Sequence, residues 1–122
     1  MDESMILVVD DHPGIADAAA MMLNREGYCA LALYKAADAI EMLSKVDVAL
    51  IVTDVNMPEM NGVDLALKTR ELRPRTGILL MSGDDTAASI WHERGCEVCP
   101  FEVMAKPFRA RQLLDRIKSI VH

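Results

Sequence analysis

Basic residues are in short supply: 13 Lys and Arg stand against 19 Asp and Glu over 122 residues, a formal net charge of −6. Affinity for nucleic acid rests mainly on neutralising phosphates with cations, so this balance opposes direct DNA or RNA binding by the surface as a whole. Cysteine is scarce too. Cys29, Cys96 and Cys99 are odd in number and suit a reducing compartment better than a disulfide framework. Long apolar runs are missing: the run after the acidic N-terminus covers about one short strand, too little for a signal-peptide core or a membrane helix. The expected location is therefore cytoplasmic. Aromatics make up only 4% of the chain while apolar residues make up 52%, which fits one compact domain over residues 1–122. No internal repeat, low-complexity tract or linker interrupts it.

What is present is an alternation of short apolar runs with segments of helical period. Met5 to Val9 reads as a strand, and a helix begins at Pro13, carries Ile15, Ala19, Met22 and Leu23 at i, i+4, i+7, i+8, and is closed by Gly27. Tyr28 to Leu33 is a second strand. Ala36 to Lys45 is a second helix with Ala39, Ile40 and Leu43 inward, and Val48 to Thr53 is a third strand. After the loop Asn56 to Gly62, a helix from Val63 to Arg73 stops before Pro74. Gly77 to Met81 makes strand four, Asp84 or Asp85 caps helix four, Gly95 ends it, and Glu102 to Ala105 is strand five. The last helix, Arg109 to Val121, carries Leu113, Leu114, Ile117, Ile120 and Val121 on one stripe. Strands joined by helices of this length require right-handed crossovers and a parallel sheet covered on both faces. The expected fold is α/β: a doubly wound, five-stranded, flavodoxin-like (βα)5 sheet of order 2-1-3-4-5.

In such a sheet ligands bind outside the carboxyl ends of the strands, at the switch point between strands one and three. Strand one ends in Asp10-Asp11, and the apolar run of strand three ends in Asp54. Three carboxylates this close repel one another unless a cation sits among them, so the pattern implies a divalent metal. Ser82 ends strand four and Lys106 follows strand five, whereas strand two offers no polar group at its end.

Asp10-Asp11, Asp54 with Asn56-Met57-Pro58 and Gly62, Ser82-Gly83 and Lys106-Pro107-Phe108 together resemble the receiver domain of two-component response regulators, with its chemotaxis-regulator-like fold. The resemblance covers essentially the whole chain. It implies a domain that takes a phosphoryl group from a sensor histidine kinase or phosphotransfer protein onto Asp54, changes conformation, and later loses the group to water. It is no enzyme beyond catalysing its own phosphorylation and dephosphorylation. The implied cofactor is Mg²⁺, held by Asp11, Asp54 and the backbone carbonyl of Asn56, with Asp10 acting through water. Lys106 would pair with the phosphoryl oxygens and Ser82 would donate a hydrogen bond to them. Pro107 matches the family's cis-proline position. Helix four, strand five and helix five, with the basic face Arg109, Arg111, Arg116 and Lys118, would carry a homodimer, output-domain or partner contact. The apolar start of helix one around Ile15 resembles the surface that docks the kinase.

Departures and plainer readings stand beside these. The family usually carries Tyr or Phe three residues before the lysine, and here that position is Val103. A small β-branched side chain cannot make the same excursion, which opens a second reading as a phosphate-independent interaction module. Between Gly95 and Lys106 the chain is longer than usual, with Cys96-Glu97-Val98-Cys99-Pro100-Phe101 inserted. Phe101 would substitute for the missing ring only from the start of strand five. Cys96 and Cys99, with His92 upstream, fall short of four zinc ligands and precede a strand rather than a helix, so their plain structural reading is preferred. Trp91 either packs under helix four or faces a partner. Taken singly, Asp10-Asp11-His12-Pro13 reads as a solvated turn, Asp54 as an Asx-type turn residue, Ser82-Gly83 as an ordinary loop and Lys106 as a surface lysine. A flavin carrier is disfavoured because Asp10-Asp11 would repel phosphate, and a phosphohydrolase because its nucleophile belongs on the first strand with a second acid two residues later.

Overall fold

The computed structural model describes residues 5–83, 86–93 and 101–121. Five βα units follow one another: β1 (Met5–Val9), α1 (Pro13–Arg25), β2 (Cys29–Leu33), α2 (Ala36–Lys45), β3 (Leu50–Asp54), α3 (Gly62–Leu72), β4 (Gly77–Ser82), α4 (Thr86–Glu93), β5 (Glu102–Ala105) and α5 (Ala110–Ile120). All strands are parallel, in the order β2-β1-β3-β4-β5. The segments expected to cap and close helix four, Asp84, Asp85 and Gly95, and the Cys96–Cys99 pair lie outside the described residues.

Side chains alternate across a strand, so each central strand feeds two apolar layers. Leu7, Val9, Ile51, Ile78 and Leu80 join Ala39 and Leu43 of α2, Leu65 and Ala66 of α3, and Phe101 on one face. Ile6, Val8, Leu50, Val52, Leu79 and Met81 join Ala16 and Leu23 of α1 with Leu113, Leu114 and Ile117 of α5 on the other. Because β1, β3 and β4 are covered on both faces, nearly every position in them is apolar and buried. Truncating any fully buried leucine here, such as Leu79, is expected to cost about 2–5 kcal/mol.

Three packing details differ from the sequence-based expectation. The buried face of α1 is Ala16, Ala20 and Leu23, with Ala19 and Met22 beside it, while Ile15 is 48% exposed. In α2 the fully buried positions are Ala36, Ala39 and Leu43, and Ile40 is only partly covered. In α5 Leu113, Leu114 and Ile117 are buried, whereas Ile120 and Val121 are partly covered near the helix end.

Trp91 is half-buried rather than offered outward: its ring meets Phe101 edge-on, with centroids 6.0 Å apart and planes at 78°. The Arg70 guanidinium lies 5.3 Å from the Phe101 ring centre on the same side. Val103 is only partly buried beside this cluster.

Candidate functional site

The carboxyl ends of β1 and β3 lie side by side, with Val9 opposite Thr53 in the ladder, so the residues that follow each strand emerge together. Asp10 is completely buried, Asp54 is 4% exposed and Asp11 is partly covered. One ligand atom from each of Asp10, Asp11, His12 and Asp54 falls within 4.8 Å of the others. Charges of one sign gathered in a poorly hydrated place are costly, and the surroundings answer that cost in three ways.

The first is Lys106, whose Nζ stands 3.0 Å from Asp54 Oδ1. It is aimed there by β5: the Lys106 N–H donates to the Ser82 carbonyl at 2.7 Å, tying the segment after β5 to the end of β4. The Lys106-Pro107 bond is cis, as expected from the sequence. The second is the main chain. The His12 N–H donates to Asp10 Oδ1 at 3.0 Å, and the Asn56 N–H points at Asp54 Oδ1 over 3.4 Å. The third is the His12 ring, with Nδ1 3.2 Å from Asp10 Oδ1 and 3.3 Å from Asp11 Oδ1.

Even so, two buried oxygens, Asp10 Oδ2 and Asp11 Oδ1, have no hydrogen-bond partner among the described residues. Buried polar atoms are nearly always satisfied, and carboxylate oxygens most of all. Unsatisfied oxygens from two acids, beside a third acid, are what a hard divalent cation would take up, and the donor set fits Mg²⁺.

The loop after β3 is fixed by its own chemistry. The Gly62 N–H donates to the Val55 carbonyl at 2.9 Å, and the Asn61 side chain caps α3 by accepting from the Asp64 N–H at 2.8 Å. Glu59 adopts a left-handed backbone, φ 70°. Ser82 is buried at the end of β4, one residue beyond Met81, the register partner of Asp54.

The structure thus brings Asp10, Asp11, Asp54 and Lys106 into one cluster, with the Asn56 main chain against Asp54 and Ser82 at the same sheet edge. Sequence reasoning overlooked His12 as a member of the cluster and treated it as part of a turn. Its signal was its place directly after the acidic pair, at the end of a buried strand.

A family model described as the response regulator receiver domain matches residues 6–118. The regulatory protein VanR of Enterococcus faecium is 30% identical over 114 residues, covering 93% of this chain and 48% of that protein, so the chain spans about half the length of that relative. The crystal structure of a response regulator receiver protein from Sinorhizobium medicae superposes with a TM-score of 0.81 at 29% identity, covering 98% of this chain and 94% of that one. The fold is shared with the response regulator TrrA of Thermotoga maritima, crystallised in complex with Mg²⁺-BeF, at TM-score 0.81 and 24% identity over 97% of this chain and 99% of that one.

Proposed function

The chain belongs to the receiver domain family of two-component response regulators, and from that premise we propose that the Asp54 carboxylate is its phosphoacceptor. One observation carries this reading: a buried acid at the switch point is paired with a lysine at 3.0 Å and flanked by two acids, each with one buried oxygen that has no hydrogen-bond partner among the described residues. The donor is a phosphohistidine of a sensor kinase or phosphotransfer protein. An Asp54 oxygen attacks the phosphorus, an O–P bond forms as the N–P bond breaks, and the electron pair leaves with the donor imidazole. Hydrolysis later returns the carboxylate and releases inorganic phosphate.

The residues divide the work by charge. Lys106 offers a point charge already on the Asp54 side of the cluster, and it follows the incoming phosphoryl oxygens. The Ser82 hydroxyl donates to the same group from the end of β4. Asp11, Asp54 and the Asn56 carbonyl would hold Mg²⁺, with Asp10 contributing through water. When bound, the cation offsets the negative charge that phosphoryl transfer brings toward three acids.

The activity is confined to the domain's own phosphorylation and dephosphorylation. The α4-β5-α5 face, with Arg109, Arg111, Arg116 and Lys118, is the surface through which the state of Asp54 reaches a second copy, an output domain or another protein. The kinase docks at the start of α1 around Ile15. No described helix is long and apolar enough to cross a membrane, and together with the acidic balance this supports a cytoplasmic domain that does not itself contact nucleic acid.

The test is the intact mass after incubation with acetyl phosphate and Mg²⁺, with and without EDTA, beside Asp54→Asn. A metal-dependent phosphoryl adduct, absent from the variant, is expected. A folded wild-type protein that takes up neither the adduct nor beryllofluoride would overturn the reading. It would favour the second one, a phosphate-independent interaction module, for which the specific observation is Val103 at the position of the family's switching ring.

A further inference from the structure

The acidic cluster contains a nitrogen donor that the ligand set above does not use. His12 follows the acidic pair directly, and its Nδ1 lies 3.2 Å from Asp10 Oδ1 and 3.3 Å from Asp11 Oδ1. Two ligands at about 2.0–2.2 Å from one metal ion stand roughly 3.0–3.5 Å apart at angles between octahedral and tetrahedral. The imidazole already stands at that spacing from each of the two carboxylates. All four ligand atoms lie within 4.8 Å of one another, close to the roughly 4.2 Å across an octahedron of such bonds, so side-chain adjustment suffices to gather them on one ion. The pocket also points to a ligand independently of its acidity: Asp10 is fully buried and its Oδ2 lacks a hydrogen-bond partner among the described residues.

We propose that His12 makes this a mixed-donor site, in which its imidazole joins Asp10, Asp11 and Asp54 as a ligand for first-row transition cations of the Co²⁺, Ni²⁺ and Zn²⁺ class. The proposal rests on the reading of the acidic pocket as a cation site, and it adds selectivity to it. Mg²⁺ is a hard ion that favours oxygen and gains little from a nitrogen donor, whereas borderline transition ions favour imidazole. The 67% exposed His12 side chain can turn between the acids and solvent without disturbing the core. Mg²⁺ is therefore held by oxygens with His12 aside, and a transition ion is held with His12 bound.

Isothermal titration with Mg²⁺ and with Ni²⁺ tests this. It is best done in a Cys29→Ser, Cys96→Ser, Cys99→Ser background so that thiolates contribute nothing, with Asp11→Asn defining the component of binding that belongs to the pocket. His12→Ala is expected to weaken that component for Ni²⁺ by about tenfold to a hundredfold, the usual cost of a lost contact in a metal site, and to leave Mg²⁺ unchanged. His12→Asn keeps an amide donor for Asp10 but offers no imidazole, so it should lose Ni²⁺ equally. The proposal is overturned if His12→Ala weakens Ni²⁺ no more than Mg²⁺. It is also overturned if His12→Asn restores Ni²⁺ binding, since His12 would then merely position Asp10. Undiminished binding of both ions by Asp11→Asn is a different failure, because it removes the pocket itself as the cation site.

Discussion

Gly62 packs against the main chain of Asp54 so closely that a side-chain carbon has no room: a Cβ there would overlap the Asp54 carbonyl oxygen and stand 2.9 Å from the Val55 Cα. Helix propensity alone predicts that alanine improves this first position of α3. The contact predicts the opposite. Gly62→Ala should cost about 1–3 kcal/mol, as overpacking against backbone does, because α3 must move off the strand end that carries Asp54. Urea unfolding gives the sign, and a stabilised variant would show that the close approach is dispensable.

A cation taken up by the Asp10 and Asp11 oxygens that lack a hydrogen bond among the described residues stabilises the folded chain alone. With Mg²⁺ at a hundred times its dissociation constant, unfolding should become harder by about 2.7 kcal/mol. EDTA should reverse the gain, and Asp11→Asn should abolish it by removing one of the two acids with an unsatisfied oxygen. Thermal melts over a Mg²⁺ series measure this, and a melting temperature insensitive to Mg²⁺ would contradict the assignment.

The Tyr34 hydroxyl donates to Asp17 Oδ1 at 2.5 Å, and this hydrogen bond, helped by slight desolvation and the Asp17 charge, raises its pKa above the ordinary value of 10.0. The folded state therefore binds the phenolic proton more tightly than the unfolded chain. Its contribution is fully present below pH 10 and is lost as pH rises through the raised folded-state value. Tyr34→Phe should be less stable than wild type near neutrality, and the difference should shrink at alkaline pH. A constant difference between the two melting curves across that range would refute the linkage.

The outer edge of β2 is guarded by a side chain. Asn24 of α1 donates from Nδ2 to the Ala30 carbonyl at 3.0 Å and accepts the Ala30 N–H on Oδ1 at 2.8 Å, pairing with the strand as a neighbouring peptide would. The strand itself, Cys29-Ala30-Leu31-Ala32-Leu33, has no charge or proline to discourage pairing with another chain. Asn24→Ala should lose about 1 kcal/mol of stability and promote concentration-dependent association through β2. Sedimentation velocity over a concentration series decides it, and a variant that stays monomeric would leave Asn24 a purely local role.

Strand order and the meeting of Asp10, Asp11, Asp54 and Lys106 were legible because they follow from chain-long constraints: crossover handedness, continuous apolar strands and polar residues at strand ends. What was missed depends on a residue's neighbours rather than its type. Alanines surround Ile15 on α1, so hydropathy cannot set the helix's rotation, and the larger residue was read as core although the small ones face the sheet. His12 looked like a turn residue because the unsatisfied oxygens beside it exist only in three dimensions. The burial of Phe101 against Trp91 was similarly hidden, since the two rings lie ten residues apart in the chain and meet only in the fold.

Ile15 therefore has a different meaning from the other apolar residues of α1. At 48% exposure it gives little to the core, so Ile15→Glu should change stability by no more than about 0.5 kcal/mol. Met21 on the same helix is also exposed, at 55%, and the two leave apolar surface that the fold itself does not cover. If that surface receives the kinase, the charge should slow phosphotransfer from the kinase severalfold while leaving reaction with acetyl phosphate untouched. The paired rates separate docking from chemistry: equal slowing with both donors would place the effect at Asp54, and no slowing with either would move the docking surface elsewhere. A large loss of stability would instead return Ile15 to the core, where periodicity first put it.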